Sequence, residues 1–413
     1  MQILIIGNGG REHAIVCALD KSPQVDRIFC TPGNAGTQEI AESPGIAADD
    51  FVELLKFAKN EKIDLTIVGP EVPLVRGISD LFMSWNLPIF GPTAPAAMIE
   101  GSKMHAKRLM KDSGIPTANF HTYYNKSGAM KYAERFPCVV KVNGLAAGKG
   151  VFIVNSVSEL ATALSEIFDK KAFGASGDRI IIEEFLEGEE ATILALCDGK
   201  NILPLIPSKD YKKIYDDDRG PNTGGMGAIA PAPTIDEKMM DKIMDRVFWP
   251  LMNEFRYRKI IYKGVIYAGI MICDGEPFVL EFNCRFGDPE TEVVLPLLNS
   301  DFCELILCTV NGELQDYKIE WKNKCACDVV LASGGYPGAY EIGKKIEGLD
   351  ILKNIKIFHS GTKRVGGDIY TNGGRVLNVV GMDATLSGAI RKAYDSIGLI
   401  NFEGMYCRGD IGG

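Results

Sequence analysis

Histidine is scarce in this sequence: there are four in 413 residues. The eleven cysteines are odd in number and scattered, and no two form a C-x-x-C pair. A zinc site of ordinary Cys/His spacing is therefore not expected. The cysteines read as reduced, buried thiols of a cytoplasmic protein. No apolar run reaches the ~20 residues needed to span a bilayer. Met1-Gln2-Ile3-Leu4-Ile5-Ile6-Gly7 lacks the basic segment and the small-residue cleavage site of a signal peptide, so it reads as a first strand. Basic residues are outnumbered, 45 Lys and Arg against 54 Asp and Glu, for a net charge of −9. Such a chain is a poor general binder of nucleic acid, because neutralising phosphates needs surplus cations. Anionic small ligands remain open, since one glycine loop and a few cations can hold them. No repeat or low-complexity tract is visible. Hydrophobic residues at 46% and charged residues at 24% exclude a disordered tail, a coiled coil and a collagenous repeat.

The length suits about two to four domains. A chain of this size can bury about three quarters of its unfolded surface without a disulfide or a metal. Residues 1–92 alternate strands (2–6, 25–30, 65–68, 88–90) with helices (11–20, 51–59, 72–85), which implies βαβ units and a parallel sheet. Each strand runs into a glycine-containing loop: Gly7-Asn8-Gly9-Gly10, Pro32-Gly33-Asn34-Ala35-Gly36, Gly69-Pro70-Glu71 and Gly91-Pro92-Thr93. In an open α/β sheet those loops line one ligand crevice. The proline-rich stretch 88–95 marks a boundary, and 101–122 is a helix plus connector. Residues 123–190 read as α+β with a glycine-rich turn at 144–150. Strands at 191–196, 264–273 and 277–282 and a helix at 236–255 follow. The last 86 residues restart with a strand at 328–332 and hold a helix at 385–396, forming a small C-terminal domain.

Five stretches carry chemistry. Gly7–Gly10 opens a helix and can offer backbone N–H groups to an anion. It fails the dinucleotide fingerprint, because the third glycine would fall at Glu12 and Cys30-Thr31-Pro32-Gly33 supplies no acid for a ribose. A dehydrogenase is excluded on that ground. A monophosphate site and a bare strand–helix turn both remain open. Lys141-Val142-Asn143-Gly144-Leu145-Ala146-Ala147-Gly148-Lys149-Gly150-Val151 is a glycine-rich β-turn between strands 139–142 and 151–154. It is not a Walker A loop, but its backbone donors and two lysines suit a polyphosphate. A surface hairpin with solvated lysines is the alternative. Residues 180–190 run an apolar strand into Glu183, Phe185, Leu186 and Glu190, which can meet an adenine edge and ribose hydroxyls or form a solvated acidic turn. Residues 208–227 end in Asn222-Thr223-Gly224-Gly225-Met226-Gly227 and form either a substrate-closing loop or an exposed linker. In 279–290, strand periodicity puts Glu281, Asn283 and Arg285 on one face. Glu281 and Asn283 are hard oxygen ligands suited to Mg²⁺ beside phosphates, and Arg285 can clamp a developing phosphoryl charge.

Taken in order, these motifs, with Arg11-Glu12-His13, Cys284–Glu290, Gly373-Gly374-Arg375-Val376-Leu377 and Asp410-Ile411-Gly412, resemble the phosphoribosylamine–glycine ligases (glycinamide ribonucleotide synthetases) of the ATP-grasp superfamily. The resemblance spans essentially the whole chain. It implies an N-terminal parallel α/β domain (the pre-ATP-grasp domain, 1–100), an ATP-grasp domain (101–327) with a mobile lid at about 123–191, and a small C-terminal α/β domain (328–413). It further implies joining of glycine to 5-phosphoribosylamine through glycyl phosphate, with ATP becoming ADP and phosphate, in purine biosynthesis. By similarity, ATP would meet Lys103, Lys141, Gly148, Lys149, Gly150, Glu183, Phe185, Leu186 and Glu190. Glu281 and Asn283 would hold Mg²⁺ or Mn²⁺, and Arg285 and Lys149 would be catalytic. The sugar phosphate would sit at Gly9, Gly10, Arg11, Asn34, Gly36 and Glu71. The amine and glycine would sit at Asp210, Lys212, Thr223, Gly224, Gly225, Met226 and Gly227, with Arg285 and Asp288 beside the substrates.

Two departures stand out. Asn143 replaces an Asp found in many relatives, and residues 267–272 carry no metal-binding acid. Other ATP-grasp enzymes, such as carboxyaminoimidazole or formyl-dependent purine synthetases and biotin-carboxylase-like enzymes, are disfavoured by the 222–227 and 284–290 motifs. A non-catalytic nucleotide sensor is disfavoured by the intact Glu281, Asn283, Arg285 and Lys149. The partners expected are the small substrates and transient contact with the phosphoribosylamine-producing enzyme. No nucleic acid and no membrane is expected, and the location expected is cytoplasmic.

Overall fold

The computed structural model describes residues 1–132, 135–146, 148–352 and 355–413. Ala147 of the second glycine-rich motif lies outside the described residues. The first four strands form a parallel sheet in the order Arg27–Pro32, Gln2–Gly7, Leu65–Val68, Ile89–Phe90. Their side chains are buried on both faces, as a sheet covered by helices requires. The helix expected over 72–85 is two helices, Glu71–Val75 and Ile78–Ser84. Gly77 separates them at φ +88°, a left-handed conformation that glycine adopts without steric cost.

The region expected to be ATP-grasp supplies two antiparallel sheets. One orders Ile202–Pro204, Glu189–Asp198, Lys263–Cys273 and Glu276–Asn283. The other orders Phe120–Tyr123, Ile180–Glu184, Cys138–Val142 and Val151–Val154. The glycine-rich stretch thus turns between the last two of these strands, as its sequence implies. This second sheet has its own core, built on Cys138, Val140, Leu160, Leu164 and Ile182, which sets it apart as the lid. It begins at Phe120, a little ahead of the expected start. By contrast, the cores under the N-terminal sheet also take in Ile193, Leu194, Ile266 and Tyr267 from the ATP-grasp sheet. Those two regions are welded by shared apolar burial.

The C-terminal sheet crosses the expected domain boundary. Its order is Lys209–Asp210, Gly227–Ala230, Cys325–Ser333, Arg375–Asp383, Lys356–His359. The helix Leu386–Ile397 packs on the face that carries Cys327, Val329 and Val379. Two strands from the middle of the chain are therefore hydrogen-bonded into the last domain, and they flank the 211–226 segment.

The N- and C-terminal regions meet at a pair of buried histidines. The backbone N–H of His359 donates to His13 Nδ1 at 2.8 Å, and the ring centroids are 5.5 Å apart. Burial lowers His13 to about 3, helped by the neighbouring His359. Burial likewise lowers His359 to about 4, helped by Arg364. Both rings stay neutral in the folded chain where an unfolded imidazole, with its ordinary value of 6.5, takes up a proton. The unfolded state then binds more protons, so stability is fully present above pH 6.5 and falls as the pH drops toward 4. The expected loss is about 1.4 kcal/mol per pH unit per histidine in that window. Urea unfolding at a series of pH values from neutral to moderately acid checks this. The slope should flatten in His359→Gln, and an unchanged slope would show that the His359 ring does not resist protonation.

Candidate active site

The N-terminal crevice is largely satisfied from within. Gly9 caps the Gly10–Leu19 helix, and its N–H donates to Glu12 Oε2 at 2.5 Å. Glu12 is 1% exposed. A Cβ on Gly69 would lie 1.9 Å from Glu12 Oε1, and one on Gly7 would lie 2.5 Å from its Cδ. The residue that breaks the dinucleotide fingerprint therefore fills the crevice and supplies the negative charge that a helix N-terminus attracts. Arg11 is buried, paired with Glu12 at 2.8 Å and donating to the Phe286 carbonyl at 2.8 Å. Asn34 is a junction: its amide donates to the carbonyls of Asn8, Gly9 and His359, and its Oδ1 accepts from the N–H groups of Gly36 and Thr37. Gly36 is packed so closely that a Cβ would lie 2.3 Å from the His13 ring.

The strand that carries the expected metal ligands ends at Asn283, so Arg285 lies just beyond it. Arg285 is held by Glu100 at 3.0 Å and Glu71 at 3.3 Å, and it donates to the Phe286 carbonyl at 3.0 Å. Burial works against its charge, but Glu100 and Glu71 outweigh it and raise Arg285 above its ordinary value. Glu100 also accepts from the Cys284 N–H at 2.7 Å. Glu71, expected at the sugar phosphate, is thus the counter-ion of Arg285. Asp288 Oδ1 pairs with Arg375 at 2.9 Å.

On the lid side, Lys141 and Lys107 both reach Glu183 Oε2 at 3.0 Å. Glu183 Oε1 is buried without a hydrogen-bond partner among the described residues. Lys103 donates to the Gly144 carbonyl at 3.1 Å. Asn143 Oδ1 accepts from Ser102 Oγ and from the Met104 N–H, both at 2.9 Å, so it secures the start of the Lys103–Ser113 helix without a charge. Phe185 and Leu186 lie half-buried in the connector between the lid and the larger sheet. Lys149 is exposed, and Gly150 is buried. Gly148 has φ +75°, and a Cβ there would lie 2.9 Å from the Thr223 carbonyl. The structure therefore brings the two glycine-rich loops together.

The Thr223–Gly227 loop is braced from the C-terminal domain. Arg375 donates to the carbonyls of Gly224 and Asp288 at 2.8 and 2.9 Å, and Tyr336 OH accepts from the Gly224 N–H at 3.0 Å. Gly225 has φ +115° and lies against Pro289, where a side chain would collide. Met226 is fully buried in a small core with Ile214 and Ala332, and Gly227 begins a strand. Beneath the loop, Lys212 binds Glu190 at 2.7 Å and Asp210 at 3.4 Å. Sheet register puts Thr192, Tyr267, Glu281 and Asn283 on the same face. Thr192 Oγ1 contacts Tyr267 OH and Glu290 Oε1, each at 3.2 Å.

Glu281 suits a cation. Burial pushes its carboxyl up, but Lys212, Lys141, Lys103 and Arg285 outweigh that and hold it below its ordinary value. Each of those cations is bound elsewhere, and Glu281 forms no ion pair among the described residues. Among the described residues no group of three or more His, Cys, Asp or Glu could hold a metal alone. One free carboxylate plus one amide oxygen, completed by phosphates and water, fits Mg²⁺ or Mn²⁺.

Lys107, Glu100, Thr192, Tyr267, Glu290, Tyr336 and Arg375 escape the sequence reading. Lys107 had a signal, since it lies one turn after Lys103 on the same helix face. Arg375 sits in the Gly373-Gly374-Arg375 motif, which carries no local hint of a partner 151 residues away. Replacing Asn34 with Ala should lower stability by about 3 kcal/mol, because buried N–H and C=O groups lose their partners. Chemical denaturation measures this, and a loss within error of zero would remove Asn34 as the junction.

Residues 1–100, 101–291 and 326–413 match the N, ATP-grasp (A) and C domains of phosphoribosylglycinamide synthetase. The chain is 48% identical over 413 residues to the phosphoribosylamine–glycine ligase of Caldanaerobacter subterraneus subsp. tengcongensis, covering 100% of this chain and 99% of that one. It is 44% identical to that of Escherichia coli K12, covering 100% and 98%. The crystal structure of the Thermotoga maritima phosphoribosylamine–glycine ligase superposes with a TM-score of 0.87 at 36% identity, with full coverage of both chains. A Campylobacter jejuni biotin carboxylase shares the fold alone, with a TM-score of 0.73 at 14% identity, covering 98% and 92%. Among the described residues no helix is long and apolar enough to cross a membrane.

Proposed function

The chain belongs to the phosphoribosylglycinamide synthetase family, and on that premise we propose that its cleft joins glycine to 5-phosphoribosylamine at the expense of ATP, in purine biosynthesis. A carboxylate has no good leaving group until it is phosphorylated. The glycine carboxylate attacks the γ-phosphate to give glycyl phosphate and ADP, and the amine then attacks the acyl carbon and releases phosphate. The protein's contribution is positioning and charge neutralisation.

The observation that carries this reading is the unpaired Glu281 carboxylate facing four cations where the lid, the larger sheet and the substrate loops meet. Lys103, Lys141 and Lys149, with the backbone of Gly148 and Gly150, line the polyphosphate path. Glu183, Phe185 and Leu186 form the nucleobase edge, and Glu190 lies toward the ribose. Glu281 and Asn283 would hold magnesium, or manganese in its place, whose charge offsets that of the phosphates. Arg285 answers charge that builds on the transferring phosphoryl group, pre-oriented by Glu71 and Glu100 so that it need not reorganise. The loops at 9–11 and 34–36 shape the wall that receives the sugar phosphate. Asp210, Lys212, the 223–227 loop and Asp288 enclose the amine and glycine. All eleven cysteines are free, which supports a reducing, cytoplasmic setting. Because phosphoribosylamine is short-lived in water, transient contact with the enzyme that makes it belongs to the same reading.

Phosphate release from MgATP tests the reaction. Release should require both glycine and phosphoribosylamine generated in the cuvette, and release independent of glycine would sink it. Glu281→Ala should abolish turnover with an unchanged melting temperature, whereas activity retained in that variant would remove Glu281 from the metal.

A further inference from the structure

Amide formation has a proton to dispose of. The attacking amine carries an N–H that must leave as the new C–N bond forms, or the nitrogen stays cationic and departs again. Several carboxylates line the substrate end of the cleft, and most are already engaged. Glu190 Oε2 holds Lys212 at 2.7 Å. Glu290 is 2% exposed and accepts from Thr192. Glu71 is bound to Arg285, and Asp288 to Arg375.

Asp210 is held more loosely by its cation. Its Oδ1, like that of Asp288, is sealed from water without a hydrogen-bond partner among the described residues, and its side chain is 6% exposed. The nearest cation, Lys212 Nζ, stands at 3.4 Å because its short contact goes to Glu190. Asp210 sits at the root of the substrate loop. Its strand pairs with Gly227–Ala230, and the neighbouring Tyr211 N–H donates to the Gly227 carbonyl.

We infer that Asp210 is the general base of the amide-forming step, an assignment that rests on the reaction read above. The nitrogen lone pair forms the C–N bond. The bond between the acyl carbon and the phosphate oxygen breaks, and its electron pair leaves with inorganic phosphate. The N–H proton passes to the Asp210 carboxylate, which returns it to solvent. Lys212 and the like charges of Glu190 and Glu290 oppose each other at this site, with Tyr267 facing it from the sheet floor. Burial raises Asp210 to about 7, with Lys212 pulling down and Glu290 and Glu190 pushing up. A base tuned near neutral pH can both accept and release a proton during turnover.

The decisive variant is Asp210→Asn, checked for an unchanged melting temperature, with Asp210→Glu as the conservative partner. Two reactions are followed. One is glycine-dependent scrambling of the bridging oxygen isotope in labelled ATP, which reports glycyl phosphate formation without any amine. The other is amide formation from phosphoribosylamine. With glycine saturating, Asp210→Asn should lower amide formation by about 10²- to 10⁴-fold more than it lowers the scrambling, and Glu should restore part of that difference. The acid limb of amide formation, near pH 7 in the parent, should vanish from the residual activity. Equal loss of both reactions would place Asp210 on glycine binding and overturn the assignment, as would unchanged amide formation. Parent enzyme that neither scrambles the isotope with glycine nor forms amide would overturn the reaction itself.

Discussion

A single guanidinium ties the working parts of this protein together. Arg285 lies just past the end of the Glu276–Asn283 strand and is gripped by Glu71, from the N-terminal crevice, and by Glu100, from the helix that enters the ATP-grasp region. A buried ion pair of this kind adds little net stability, since desolvation cancels much of the attraction. Breaking one is different, because it strands an uncompensated charge at a cost of about 3–5 kcal/mol. The chain is therefore held to the one arrangement in which the crevice, the connecting helix and the strand converge. Arg11 reinforces it by donating to the same Phe286 carbonyl that Arg285 uses.

The remaining walls follow from that convergence. The larger sheet and the N-terminal sheet share apolar cores, so they form one rigid base. The lid has a separate core and reaches the base through its glycine-rich turn, whose Gly148 lies against Thr223. The C-terminal domain is the fourth wall. It donates Arg375 and Tyr336 to the backbone of the substrate loop and takes that loop's flanking strands into its own sheet. Distance along the chain says nothing of this: the last domain acts as a brace for a loop in the middle.

Two departures from familiar patterns gain a physical account. Glu12, which spoils the dinucleotide fingerprint, puts its carboxylate where a pyrophosphate would lie and caps the helix itself. Asn143 keeps the hydrogen bonds that an Asp would make to the start of the Lys103–Ser113 helix. It brings no added negative charge to a cleft that gathers phosphates. In both cases a side chain that looks like a missing function is doing a local structural job.

What the sequence by itself determined is whatever depends on near neighbours. Apolar alternation set the strands, and glycine clusters set the turns. The spacing of Glu281 and Asn283 put two side-chain oxygen donors on one face, because a strand repeats every two residues. The parallel first sheet, the lid hairpin and the strand, loop and helix positions were legible in this way. Tertiary structure alone decided which polar groups are free to act. Asn34 and Glu71 stand in ligand-like loops, and the fold pairs them with the His359 carbonyl, far along the chain, and with Arg285. Asp210 looks like one acid among many, yet at the root of the 211–226 segment its buried Oδ1 has only a long ion pair to Lys212. Local pattern carries no record of such pairings. Burial presses most polar groups to find a partner, and in a chain of this length that partner comes from whichever segment the fold brings alongside.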